Sequence, residues 1–148
     1  MSYIKLNKFI LNWFENEPLI NTISNFKENE IDVNVNTIFP LFNFYINNSS
    51  YDQATIYKVD FFIYSQVDIV PEVNNSKLID STNHIDIINE VEHVVFRFLN
   101  YLRERNNTDD ILMDSVTEIN YIKSENRNGL SGAEFSIDFT IPNETLNY

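Results

Sequence analysis

The nine residues "AEFSIDFTI" (133–141) alternate without a break: Ala133, Phe135, Ile137, Phe139 and Ile141 fall on one side of an extended chain, and Glu134, Ser136, Asp138 and Thr140 on the other. Successive side chains of a strand point to opposite faces, so this run demands a sheet with one face against a core and the other against water. One-sided burial is the habit of antiparallel sheets, because parallel ones are covered on both faces and read as unbroken apolar runs. What covers the apolar face must come from elsewhere in the chain.

Two segments have the periodicity for it. From Tyr3 to Glu15 the residues Tyr3, Leu6, Phe9, Ile10, Trp13 and Phe14 recur every three or four positions, which places them on one helical stripe that Pro18 closes. Over 84–105, Ile88, Val91, Val95, Phe98 and Leu102 form a second stripe, reinforced by Ile87, Val94 and Leu99. Thr82 or Asn83 can cap this helix, Asp86 suits its first turn, and Arg103 and Arg105 complement its C-terminal dipole.

The remaining apolar segments read as strands. "IDVNVNTIF" (31–39) alternates Ile31, Val33 and Val35 with Asp32, Asn34 and Asn36, and "PLFNFYI" (40–46) sets Phe42, Phe44 and Ile46 in step. "ATIYKVDFFIYSQVDIV" (54–70) is the longest pattern, with Tyr57, Val59, Phe61 and Ile63 opposite Lys58, Asp60 and Phe62. "ILMDSVTEINYIK" (111–123) and "AEFSIDFTI" complete the set. "NNSSYDQ" (47–53) has turn composition, and 71–83 is too long for a simple connection, which suggests a loop or arm. The order αβββαββ predicts one α+β domain over 1–148, with two helices packed on one face of a mainly antiparallel sheet.

Function is harder to read. Cysteine is absent, which removes disulfides, thiolate nucleophiles and cysteine metal sites together. The formal charge of −12 is the reverse of the basic footprint by which proteins grip phosphates, so tight DNA binding is not expected. Charges interrupt every apolar run well short of the ~20 residues of a membrane helix. Asn7, Lys8, Asn12 and Glu15 likewise break any signal-peptide core near the start, so the expectation is an amphipathic helix there and a cytoplasmic protein.

Nor do reactive groups converge. The two histidines, His84 and His93, are about 900° of helix rotation apart and face opposite ways, so they cannot share a metal. The carboxylate pairs Asp109/Asp110, Glu28/Glu30 and Glu90/Glu92 have no histidine or lysine at a telling distance. Phosphate-loop, dinucleotide, nucleophile-elbow and zinc-protease spacings are missing. The expectation is a protein that is not an enzyme and needs no cofactor or metal.

The two glycines of the chain, Gly129 and Gly132, stand together in "NGLSGAEF". Asn128-Gly129 suits a tight reversal requiring positive φ, and Gly132 suits a strand entrance where backbone or a neighbouring subunit approaches closely.

Taken in order, "FILNWFENEPLINTISNF", "IFPLFNFYI", "YKVDFFIYSQVDIV", "DIINEVEHVVFRFLNYLRER" and "NGLSGAEFSIDFTIPNE" give a pattern that resembles the tail-terminator or tail-completion proteins of tailed bacteriophages. The related neck-ring proteins of podoviruses, including the crAss-like group, share it, and the pattern spans nearly the whole chain. Leu130 and Gly132 match the family's L-x-G element before a strand ending in proline, here Pro142.

The resemblance implies a tail-terminator-like fold and a homo-oligomeric ring in the virion, assembled in the host cytoplasm. Such a ring contacts a portal or adaptor and other neck or tail proteins, and double-stranded DNA passes through it without specific binding. The expected interface elements are the arm 71–83 with Pro71, Glu72 and Lys77, the turn 49–53 with Tyr51 and Asp52, the glycines Gly129 and Gly132, and the tail 142–148 with Pro142 and Tyr148. The alternative is a small acidic binding module or an inhibitor that imitates DNA with carboxylates. A hydrolase built on Asp109 and Asp110 is a third.

Overall fold

The computed structural model describes residues 2–24, 39–66, 84–105, 110–122 and 129–142. The elements, in chain order, are α1 (Ser2–Glu15), β1 (Thr22–Ser24), β2 (Leu41–Tyr51), β3 (Ala54–Gln66), α2 (His84–Arg105), β4 (Leu112–Val116), β5 (Asn120–Ile122) and β6 (Leu130–Pro142). The sheet runs β1-β2-β3-β6-β4, with β5 also on β6; β1 lies parallel to β2, and all other pairings are antiparallel. The fold is therefore α+β, with two helices and a mixed, mostly antiparallel sheet.

Both helices sit over the same side of the sheet. Leu6, Ile10 and Phe14 of α1 and Val91, Val95 and Phe98 of α2 share one core with Phe42, Phe44, Val59, Phe61, Ile63, Phe135, Ile137 and Phe139. The alternation read from the sequence is the alternation found, since Tyr57, Val59, Phe61 and Ile63 and all five apolar residues from Ala133 to Ile141 are buried. Phe61 and Phe135 are direct cross-strand partners whose rings stack at 5.0 Å. Phe98 of α2 sits 4.8 Å from Phe14 and 4.9 Å from Trp13, locking the helices together above the strands. Aromatic pairs of this kind contribute about 0.5–1.5 kcal/mol beyond the area they bury.

The first helix ends where its last turn tightens, Asn16 N bonding Trp13 O and Glu17 N bonding Phe14 O, just before Pro18. Glu17 then turns inward. Its Oε1 accepts the Leu19 amide at 3.3 Å and the Arg97 guanidinium at 2.5 Å, which ties the α1–β1 connection to α2.

Two expectations change, and two others reach beyond the described residues. The strand expected over 31–39 falls mostly outside the described residues, and the first strand described is Thr22–Ser24, held on β2 by its ladder and by Ser24 Oγ donating to the fully buried Asn43 at 2.7 Å. The strand expected over 40–46 continues to Tyr51, because "NNSSY" stays in the ladder with Thr55–Lys58 after a bulge at Asn47; the turn is only Asp52-Gln53. Of 54–70, Ala54–Gln66 is strand, and 67–70, like the arm 71–83, lies outside the described residues.

The single strand expected over 111–123 is two, so the described order is αβββαβββ rather than αβββαββ. The physical reason lies at Thr117, whose backbone N donates to Ser136 O while its Oγ1 accepts the Ser136 amide at 2.8 Å. A side-chain oxygen there replaces a backbone acceptor. The chain leaves the ladder for three residues and rejoins it at Asn120↔Glu134, one register step later than Val116↔Ile137.

Candidate functional site

The glycine pair is fully explained by the chain's own geometry. Gly129 has φ of 60°, the left-handed region that glycine enters without a Cβ clash. Gly132 stands opposite Tyr64 in the β3–β6 ladder, and a Cβ there would lie 1.8 Å from the Ile63 carbonyl oxygen. The close approach foreseen at Gly132 is thus to β3 of the same chain, and the residue is the buried third residue of β6.

The other expected interface residues divide by position. Tyr51 is the most exposed large apolar side chain described, at 78%, and Asp52 beside it is also exposed. Because Ala54 pairs with Pro142, the register brings Tyr51, Asp52 and Pro142 to one end of the sheet, while Gly129 and Gly132 lie at the other. Pro71, Glu72, Lys77 and Tyr148 lie outside the described residues.

Titratable groups stay apart. Asp110 pairs with Lys5 at 3.0 Å on the surface; Asp109, Glu28 and Glu30 lie outside the described residues. Glu92 accepts the Tyr121 hydroxyl across the gap between α2 and β5. That hydrogen bond, then burial, then the negative charge of Glu92 push the Tyr121 phenol above its ordinary value. His93 is exposed, whereas His84 Nδ1 lies 2.9 Å from Ser131 Oγ. A serine beside a histidine has the makings of a nucleophile, but Ser131 is fully buried in the sheet, where no substrate reaches it. Among the described residues no group of three metal-ligating side chains forms, and no helix is long and apolar enough to cross a membrane.

Charge is distributed unevenly. The helices carry five carboxylates (Glu15, Asp86, Glu90, Glu92, Glu104) against five cations (Lys5, Lys8, Arg97, Arg103, Arg105) and are neutral as a layer. The strands carry four carboxylates, Asp60, Asp114, Glu134 and Asp138, against Lys58 alone. Asp60, Glu134 and Asp138 alternate with core residues and so occupy the face away from the described helices, next to a second buried cluster of Phe62, Tyr64 and Leu130 on that face. Hydroxyls brace three of the strand carboxylates: Ser136 donates to Asp60 at 2.6 Å, Ser115 to Asp138 at 3.2 Å, and Thr140 to Asp114.

Two features were not legible in the sequence. A groove of about 500 Å³ runs between α2 and the β4–β5 edge, lined by Phe96, Leu99, Asn100, Arg103, Val116, Thr117 and Ile119. Phe96 is 46% exposed at its rim. Its only signal was an aromatic residue lying off the apolar stripe of the second helix. A second groove of about 540 Å³ crosses the helical layer, where Arg105 lies over the rings of Phe9 and Tyr101 near Lys5 and Lys8. No protein-family model and no curated protein matches this chain.

Proposed function

We propose that this chain is a non-enzymatic structural subunit that assembles into a ring at the head–tail junction of a tailed bacteriophage virion, joining portal and tail around a channel for DNA. The observation that carries the reading is the charge split between the layers. A sheet face that no described helix covers, carrying Asp60, Asp114, Glu134 and Asp138 beside the apolar cluster of Phe62, Tyr64 and Leu130, is suited to line a passage with its carboxylate end, while the neutral helical layer is suited to pack against protein.

Duplex DNA presents a negative charge about every 1.7 Å, and each cation that neutralises a phosphate adds salt-dependent affinity that would retard the moving genome. Carboxylates repel it instead. Repeated around a ring, even the net −3 of the described strands becomes a continuous negative wall, and the whole chain carries −12. Hydroxyl bracing of these carboxylates favours a fixed charged surface over a mobile one.

The test is native mass spectrometry of the chain alone and with a portal complex, together with imaging of virions. A cyclic multimer, or stable incorporation at the head–tail junction, is the expected result. A strict monomer under both conditions that binds a DNA-binding enzyme tightly would overturn the reading in favour of a DNA mimic.

A further inference from the structure

We infer that neighbouring copies of this chain join head to tail, the β2–β3 turn of one subunit seating Tyr51 in the groove between α2 and the β4–β5 edge of the next. The inference rests on the ring reading above and supplies its contact.

The knob is Tyr51. Residues 47–53 are all exposed, so the end of the hairpin stands clear of its own subunit, and the aromatic ring at its tip is 78% open to water. A large apolar side chain at a protruding turn has no role in its own core. Tyrosine gives broad contact area for little side-chain entropy, and tyrosine and arginine are the residues that most often dominate protein interfaces.

The hole is the groove. Leu99, Val116 and Ile119 supply an apolar floor, Phe96 forms an exposed aromatic wall, and Arg103 stands in the lining with its charge available at the surface. A tyrosine ring entering there meets Phe96 in the edge-to-face or offset geometry that aromatic pairs prefer. The residue following Tyr51 is Asp52, which the seated turn brings to Arg103; opposite charges at the rim fix register and speed association.

The geometry also sets the symmetry. Tyr51 does not fill the groove of its own chain, given its exposure, and the knob and hole are different surfaces of the subunit. A contact between two different patches is heterologous and propagates by a constant rotation, the kind of contact from which a ring is built when that rotation closes. The β4–β5 edge itself is a poor template for strand addition, because a bulge at Asp114 and the gap at 117–119 interrupt its outward hydrogen-bonding row. Side-chain docking beside that edge is the alternative it leaves.

The experiment compares the multimer distribution of the full chain with those of Tyr51→Ala and Arg103→Glu, by native mass spectrometry and sedimentation velocity, alone and with portal. Circular dichroism verifies that each variant stays folded, as expected for exposed positions. Each substitution should weaken self-association by about tenfold or more. The double exchange Asp52→Arg with Arg103→Asp should restore it.

Mixing Tyr51→Ala, which keeps its groove, with Arg103→Glu, which keeps its knob, should give one-to-one dimers that grow no further. Wild-type multimers that persist unchanged in both variants would overturn this contact and leave the ring reading standing. A wild-type chain that stays monomeric alone and with portal would overturn both.

Discussion

Replacing Gly132 by alanine probes the closest backbone approach in the sheet. The added Cβ would meet the Ile63 carbonyl oxygen at 1.8 Å, the Ile63 carbonyl carbon at 2.8 Å and the Tyr64 Cα at 2.9 Å. The first contact is about 1.7 Å short of the ~3.5 Å at which non-bonded heavy atoms rest. All three atoms belong to backbone, so no side chain can rotate away and β3 must part from β6.

Overpacking strain of ~1–3 kcal/mol adds to one or two ladder hydrogen bonds worth ~1 kcal/mol net each, giving an expected loss of about 2–5 kcal/mol. For a domain of this size, that lowers the melting midpoint by about 10 °C. Gly129→Ala is the internal comparison: with φ of 60° it forces alanine into the left-handed region, at a cost of about 1 kcal/mol. Urea unfolding followed by far-ultraviolet circular dichroism measures both. A Gly132→Ala protein within ~1 kcal/mol of wild type, or one no worse than Gly129→Ala, would refute the argument that contact with β3 is what requires glycine here.

Two further outcomes follow from single contacts. Arg97→Ala leaves the buried Glu17 carboxylate with the Leu19 amide as its remaining described partner; because Arg97 is itself half exposed, the expected loss is only about 1–2 kcal/mol. Adding Glu17→Gln should recover part of that loss, and strict additivity in the cycle would show that the pair is uncoupled. The Tyr121 phenol, raised above its ordinary ~10 by its hydrogen bond to Glu92, holds its proton longer folded than unfolded. The stability it lends is complete below about pH 10 and is lost as pH climbs through the folded value, so Tyr121→Phe should flatten the alkaline limb of the stability–pH curve. An alkaline limb as steep in the variant as in wild type would refute the contact.

The sequence carried the architecture a long way. Period-2 runs at 54–66 and 133–141 and period-3.6 stripes in both helices gave the right faces, because burial of one face is a local property that each residue's polarity records. Strand limits were less legible. "NNSSY" has turn composition, yet pairing with β3 keeps it extended, and Thr117 splits one expected strand because its hydroxyl takes over a hydrogen bond that only the partner strand reveals. Gly132 announced a close approach but not to what, since the atom it avoids comes from a residue 69 positions earlier in sequence.

What the amino-acid order determined alone is therefore the layering: the two helices, the long strands at 54–66 and 133–141 and the side of each that meets the main core, and that the chain is acidic and poor in reactive groups. What only the tertiary structure decided is where those side chains meet. The neutral helical layer, the carboxylates on the sheet face away from the described helices, the groove beside Phe96 and the outlying Tyr51 all depend on register and helix placement. Those are fixed by packing between segments far apart in the chain, and local periodicity holds no record of such distances.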